Sequence, residues 1–232
     1  VVGQMLPDVA FGALHQLLDG GMQAEGASAL CNFQVSLSPV KNGSVVADAK
    51  PAEVLSFNSG GTGARASLDG LNATAFPSGV MTMPVEATEN VGPLIIRRKE
   101  LRPDSGGAGK YRGGLGQVMD VAARDGYDMI FSAMLDRVDH PARGREGGKS
   151  GGATQLNTSD GHVLRGKGRQ SVSTGSTVHL AFAGGGGFGD PLERDRALVR
   201  RDLRRGYITP DAAIAEYGVT ADELKAWERS DD

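Results

Sequence analysis

Cysteine is almost missing here: Cys31 is the single one in 232 residues, so no intrachain disulfide can hold the fold together. No histidine or basic group lies near Cys31 in sequence to lower its pKa, which favours a buried structural thiol over a nucleophile. A reducing, cytoplasmic setting fits. Long apolar runs are also lacking. None approaches the ~18 residues that a membrane helix needs, and no secretory signal opens the chain. Aromatic residues make up only 5%. The net charge is −3 with both signs interspersed, so no broad basic surface supports nucleic-acid binding. The local cluster Arg200, Arg201, Arg204 and Arg205 reads as a solvated helix face. An initiator methionine is absent too, and Val1-Val2-Gly3-Gln4 starts as though inside a domain. A processed, cut or partial polypeptide is therefore expected.

Glycine, by contrast, is abundant, at 35 residues, and it is not periodic, which excludes collagen-like and fibrous structures. The stretch Glu100–Gly116, ELRPDSGGAGKYRGGLG, joins two strand-like segments around Leu94–Arg98 and Gln117–Val121. Such a connection is too long and polar for a plain hairpin turn. It reads as a shaped loop carrying Arg102, Asp104, Lys110 and Arg112, with a solvated surface loop as the bland alternative. A second glycine loop, Ser59-Gly60-Gly61-Thr62-Gly63-Ala64-Arg65, precedes Asp69-Gly70. Its backbone N–H groups could form a nest for an anionic oxygen.

Helical spacing of Met5, Val9, Leu14, Leu17 and Leu18 predicts a helix over Asp8–Leu18, with Asp8 as its cap and Gly20-Gly21 as its stop. Cys31, Phe33 and Val35 alternate as a strand would. Pro39–Lys50 reads as a polar turn region, and Ala52–Phe57 and Asp128–Leu135 read as further strands. Short strands and turns continue through Val163-Leu164, Gln170–Val172 and Thr177–Ala183. The loop Arg137–Gly152 carries His140, Arg143, Arg145 and Lys149, so it either binds an anion or is merely solvated. Its Gly147-Gly148-Lys149-Ser150 end is not a P-loop, because Arg143 occupies the position where the pattern requires glycine. The histidines show no zinc spacing, and no metal site is expected within the sequence. Glu86 and Asp69 are the weak candidates for acid–base work. After Gly184–Gly187 the sequence turns helical: Asp190, Thr209 and Thr220 with Glu223 read as caps, and Gly206 and Gly218 as stops. The expected class is α+β, with a β-rich body over 1–189 and a helical segment over 190–232.

The segments Gly60-Gly61-x-Gly63-Ala64-Arg65, Asp69-Gly70, Pro84-Val85-Glu86, RPDSGGAGKYRGGLG and GGGGFGDP (184–191) together resemble the hydantoinase B/oxoprolinase family. The resemblance is to the C-terminal portion of an N-methylhydantoinase B-type subunit. It implies ATP-dependent hydrolysis of a small cyclic amide such as a hydantoin or 5-oxoproline. Ketone carboxylation, and a non-catalytic scaffold or interface fragment, stand as alternatives. It also implies a hydantoinase A-like partner subunit that uses ATP, and a divalent metal held by the N-terminal portion of the same subunit. On this view Ser59, Gly60, Gly61, Arg65, Arg102 and Asp104 contact substrate. Where some relatives carry histidines after Asp69-Gly70, this sequence has Asn72–Ser78, so no role of those histidines transfers. A shared site requires Arg65, Asp69, Arg102 and Asp104 to converge.

Overall fold

The computed structural model describes residues 2–18, 20–28 and 30–229. Helix α1 (Val2–Leu14) comes first, followed by β1 (Asn32–Lys41), β2 (Ser44–Val45) and β3 (Ala52–Ser56). A short helix, α2 (Val85–Val91), leads into β4 (Leu94–Leu101), β5 (Gln117–Ala123) and β6 (Tyr127–Met134). Strands β7 (Gln155–Thr158), β8 (Lys167–Val172) and β9 (Thr177–Ala181) complete the body. A 3-10 turn at Pro191–Glu193 precedes α3 (Arg196–Arg204), α4 (Pro210–Tyr217) and α5 (Ala221–Arg229). The fold is α+β.

The strands form two antiparallel sheets. In one, the path is β2-β1-β6-β8, with β3 also on β1; in the other it is β4-β5-β9-β7. Period-two alternation aims Phe33, Val35 and Leu37 of β1 at Leu94 and Ile96 of β4, and at Met119 and Val121 of β5, within a single core. Phe33 and Phe131 stack with ring centroids 5.2 Å apart. Cys31 belongs to this core, and burial pushes its thiol up to about 12, so it is inert at neutral pH. β1 runs on through Pro39 to Lys41 and pairs with β2, so the expected turn region shortens to a hairpin at Asn42-Gly43.

The glycine-rich stretches are not loops on this sandwich. Segments 24–28, 59–64, 106–116, 142–152 and 183–188 all enter or leave it at one end, as the antiparallel registers require. They pack there as a lattice of extended backbone. Gly185 N–H donates to Gly114 O at 2.9 Å, Gly186 N–H to Glu25 O at 2.8 Å, and Gly187 N–H to Lys149 O at 2.9 Å. Three successive amides thus reach three different segments. That is the period of a three-residue extended helix rather than of a strand, which faces two neighbours. Their carbonyls accept from Gly107, Ala64 and Arg145, so buried backbone polarity is met without solvent. The spacing leaves no room for a side chain. A Cβ at Gly185 would lie 1.9 Å from Thr62 O, and one at Gly113 would lie 1.9 Å from Gly185 O.

The terminal helices dock on this lattice. Val199, Ile208, Ala213, Tyr217 and Val219 form a second apolar cluster around Ala108. Beneath it Arg112 Nε donates to Asp202 Oδ2 at 3.1 Å, and Arg194 joins Asp202 and Asp69 at 2.7 Å each. Asp190 caps only the 3-10 turn, and Asp195 caps α3 itself. The other expected caps are present: Thr209 accepts from Ala212 N, Gly218 sits at φ 62°, and Thr220 and Glu223 exchange hydrogen bonds.

Helix α1 differs from its expected form. It starts at Val2, with Pro7 inside it, where the missing N–H forgoes only the bond to Gly3 O. Asp8 is therefore mid-helix and not a cap. Among the described residues of α1 it alone is buried, whereas Leu6, Val9 and Leu14 are exposed.

Candidate functional site

A cleft of about 840 Å³ lies between α1 and the segment 137–150. The edge of the lattice builds its floor. Glu25 N–H donates to Arg143 O and Glu25 O accepts from Gly186, which leaves the Glu25 side chain directed away from the lattice toward the cleft lining. There the Glu25 carboxylate accepts from Arg143 Nε at 2.7 Å and from Arg137 Nη1 at 3.1 Å. Arg137 Nη2 reaches back to Asp8 Oδ2 at 2.7 Å, and the Ser28 hydroxyl donates to the same oxygen. The result is a chain of alternating charge, Asp8–Arg137–Glu25–Arg143, running from helix to lattice. Arg137 and Ser28 hold left-handed backbone, at φ 59° and 53°, a conformation that costs a non-glycine residue about 1 kcal/mol or more.

The two acids are not equivalent. Burial raises the pKa of Asp8, and its hydrogen bond from Ser28 and the charge of Arg137 only partly offset this. For Glu25 the same burial effect is outweighed by hydrogen bonds from Arg143 and the charges of both arginines, and its pKa falls. The difference follows from the count of cations: Glu25 has two arginines and Asp8 shares one. Glu25 is a fixed anion. Asp8 is the group that takes up a proton more readily. His140, Asp139, Arg145 and Ser150 also line the cleft, and His15 pairs with Glu146 at 3.3 Å.

The residues that the family resemblance ties to substrate, and the acid–base candidates Asp69 and Glu86, are not among those lining this cleft. Ser59 is buried, with its carbonyl accepting from Gln117. Gly61 N–H is bonded to Ala183 O, and Gly60 O accepts from Thr74. The N–H groups of Thr62 and Ala64 likewise donate to Leu71 O and Gly186 O, so the candidate nest is part of the lattice. Arg102 Nη1 donates to the carbonyl of Ala153 at 2.6 Å and also contacts those of Ala181 and Phe182; burial lowers its pKa. Asp104, at φ 57°, accepts from Thr209 N and joins the lattice to α4. Asp69 receives Arg112 N, both Arg194 terminal nitrogens and Arg201. Burial works against its charge, but the Arg194 bonds prevail and its pKa is lowered. Arg65 is exposed and reaches Asp69 O at 3.4 Å. Glu86 is exposed in the first turn of α2, and Glu89 accepts from Ile96 N. Asp104 lines a separate cleft of about 380 Å³ against α4. Neither this cleft nor the larger one is lined by Arg65, Asp69 or Arg102; of the four residues, Arg65 and Asp69 touch each other, whereas Arg102 and Asp104 bond to other partners.

Of the sequence candidates, the loop with His140, Arg143 and Arg145 does line the larger cleft, whereas Lys149 pairs with Glu216. Asp8, Glu25 and Arg137 were not distinguishable as site residues by spacing. The one signal in the sequence is a lone acid among small residues, Ala24-Glu25-Gly26-Ala27. Among the described residues there is no group of three or more His, Cys, Asp or Glu able to hold a metal. Asp8 and Glu25 are committed to arginine and serine donors, so this cleft does not fit a divalent metal. Among them, too, no helix is long and apolar enough to cross a membrane.

Comparison with known proteins places this architecture. The chain is 32% identical over 175 residues to the caprolactamase subunit beta of Pseudomonas jessenii, covering 70% of this chain and 30% of that protein. It is 31% identical over 203 residues to the acetophenone carboxylase delta subunit of Aromatoleum aromaticum, covering 72% and 30%. The crystal structure of ATP-dependent caprolactamase from Pseudomonas jessenii superposes with a TM-score of 0.70 at 24% identity, over 94% of this chain and 39% of that one. The chain therefore spans 30–39% of the length of these relatives. The profile of the hydantoinase B/oxoprolinase family matches residues 1–191, a span that holds the sandwich, the cleft and every segment of the glycine lattice, and the chain belongs to that family.

Proposed function

We propose that this chain is the C-terminal part of a B-type subunit in an ATP-dependent enzyme acting on the carbonyl of a cyclic amide or a ketone. An ATP-using A-type subunit is its partner. The family match across residues 1–191 carries this reading. Relatives of both chemistries share this portion, one named a caprolactamase subunit and one an acetophenone carboxylase subunit. Opening of a hydantoin- or 5-oxoproline-type ring and carboxylation of a ketone are thus both supported.

Within such an enzyme, this portion serves as the frame and as one wall of the reaction space. The engagement of Ser59, Gly61, Arg102 and Asp69 in internal bonds favours that division of labour. Substrate-facing groups are then those of the α1 cleft. A rigid wall of this kind contributes by orientation, since holding reactants in place can supply several kcal/mol of a barrier. A divalent metal, with its chemistry, belongs to the remainder of a family-length subunit.

The test is the full-length gene product co-expressed with its ATP-binding partner. ATP is supplied with hydantoin, 5-oxoproline or caprolactam, and separately with acetone or acetophenone plus labelled bicarbonate. ADP release with a ring-opened acid assigns amide hydrolysis. Label in a new carboxylate assigns carboxylation. A folded complex that consumes no ATP with any of them would refute the reading.

A further inference from the structure

The α1 cleft presents hydrogen-bond donors that its own acids do not use. Arg143 has a side chain that is 77% exposed, yet its Nε and Nη2 are clamped on Glu25 Oε1 at 2.7 and 2.6 Å. The opposite edge of that guanidinium is held in place and open. Arg145 is tethered by a single bond, with Nε donating to the backbone carbonyl of Gln23 at 2.8 Å. Arg137 lines the cleft with a side chain only 7% exposed, and its Nε is buried without a hydrogen-bond partner. Guanidinium nitrogens donate and never accept, so these groups call for an acceptor. Asp8 and Glu25 neutralise part of the charge but stand behind the arginines, at 6% exposure each. Of the other carboxylates, Asp139 lines the cleft and is exposed, and Glu146 is paired with His15.

The helix side leaves space for a ligand. Gly12 lies in α1, where glycine costs about 1 kcal/mol relative to alanine. A Cβ there would meet nothing within 4 Å except Arg145 Nη2 at 3.7 Å. Any longer side chain would project over the arginines.

We propose that this cleft binds an oxyanion, a carboxylate or a phosphate group of a small ligand, on the free edges of Arg143 and Arg145, with Gly12 keeping the entrance open. Both groups match a guanidinium edge in geometry and charge. Because Arg143 is clamped on Glu25 and Arg145 is tethered at Nε, less side-chain entropy is lost on binding than for free arginines. The inference rests on the cleft being substrate-facing, but not on which reaction the enzyme performs.

The experiment uses the full-length subunit that contains this chain, titrated with inorganic phosphate and separately with acetate and succinate. Ionic strength is held constant with sodium chloride, and melting temperature and heats of binding are followed. A saturable rise with phosphate alone assigns a phosphoryl ligand, and one with the carboxylates alone assigns a carboxylate. In either case Arg143→Gln should weaken binding about tenfold to a hundredfold, the loss of one charged hydrogen-bonding group. Gly12→Leu, which leaves every charge in place, should abolish it, and Arg98→Gln on the distant surface should change nothing. Equal melting in phosphate, carboxylate and chloride would overturn the proposal, as would undiminished binding by a folded Gly12→Leu protein. Because binding is read without turnover, failure here is separable from failure of the catalytic reading.

Discussion

The sandwich and the glycine lattice are two interiors built on opposite principles. In the sandwich, side chains such as Phe33, Phe131 and Met119 fill the space between sheets, and stability comes from apolar area removed from water. In the lattice most buried positions are glycine or alanine, with few large side chains such as Leu115 and Phe188. Backbone segments approach closely enough that N–H and C=O groups such as those of Gly185, Gly186 and Gly187 find partners on other segments, and the condition for that approach is the missing Cβ. A side-chain core tolerates a substitution of similar volume. A backbone lattice tolerates no added atom at its tightest glycines, Gly113 and Gly185 among them.

The largest expected effect breaks the lattice. Gly185→Ala places a Cβ 1.9 Å from Thr62 O, between segments fixed on every side. We expect a loss above ~5 kcal/mol, seen as failure to give a soluble, cooperatively melting protein by circular dichroism. A normal melt for this variant would mean that the segments can separate. Next is Asp202→Asn, which leaves Arg112 and Arg194 without their fully buried counter-charge. Breaking one side of such a pair costs about 3–5 kcal/mol, and urea unfolding would show it as a lower midpoint. In the sandwich, Phe131→Ala should cost about 3–5 kcal/mol, but Phe131→Leu much less. A flat difference between the two would contradict the tolerance claimed for that core.

Acid provides a milder probe. Asp69 has a folded-state pKa below its usual value, so its stabilisation is complete above about pH 4, near the unfolded pKa. It is lost as pH falls from there through the lower folded value. Asp8 has the opposite sign: with a raised pKa, it stabilises relatively more as pH falls through that value. Unfolding free energy measured from pH 6 to pH 2.5 should therefore flatten at its acidic end in Asp69→Asn, and steepen in Asp8→Asn. The smallest effect completes the comparison. Gly175 has φ 79° but open space around it, so Gly175→Ala should cost only about 1–2 kcal/mol of backbone strain. A loss as large as that of Gly185→Ala would mean that conformation, and not proximity, governs these glycines.

The sandwich was legible in the sequence for the same reason that it tolerates change. Alternation of Phe33, Val35 and Leu37 declares a half-buried strand, and Thr209, Gly218, Thr220 and Glu223 declare helix ends through local hydrogen bonds. β7 was not visible because Gln155–Thr158 carries a single buried apolar residue, Leu156. The lattice was not legible either. Glycines mark where backbones approach but carry no side-chain period, and their partners lie far away in sequence, as Gly186 does from Glu25. The same blindness hid the cleft. Asp8 looks like a cap because aspartate is a favoured N-cap residue, and only the distant Arg137 reveals it as half of a buried ion pair.

The lattice also bears on how the chain reaches its native state. The run Gly184–Gly187 bonds to residues near positions 25, 64, 107, 114 and 149, none of them local. Each such contact requires a long loop to be closed before any bond rewards it. Glycine, with the largest conformational freedom to lose, makes every closure costlier. Assembly should therefore be a late, concerted event in which the sheets pair first and the glycine segments thread into place together. Refolding would be expected to show a slow phase in which strand signal has recovered while amides at 185–187 still exchange with solvent.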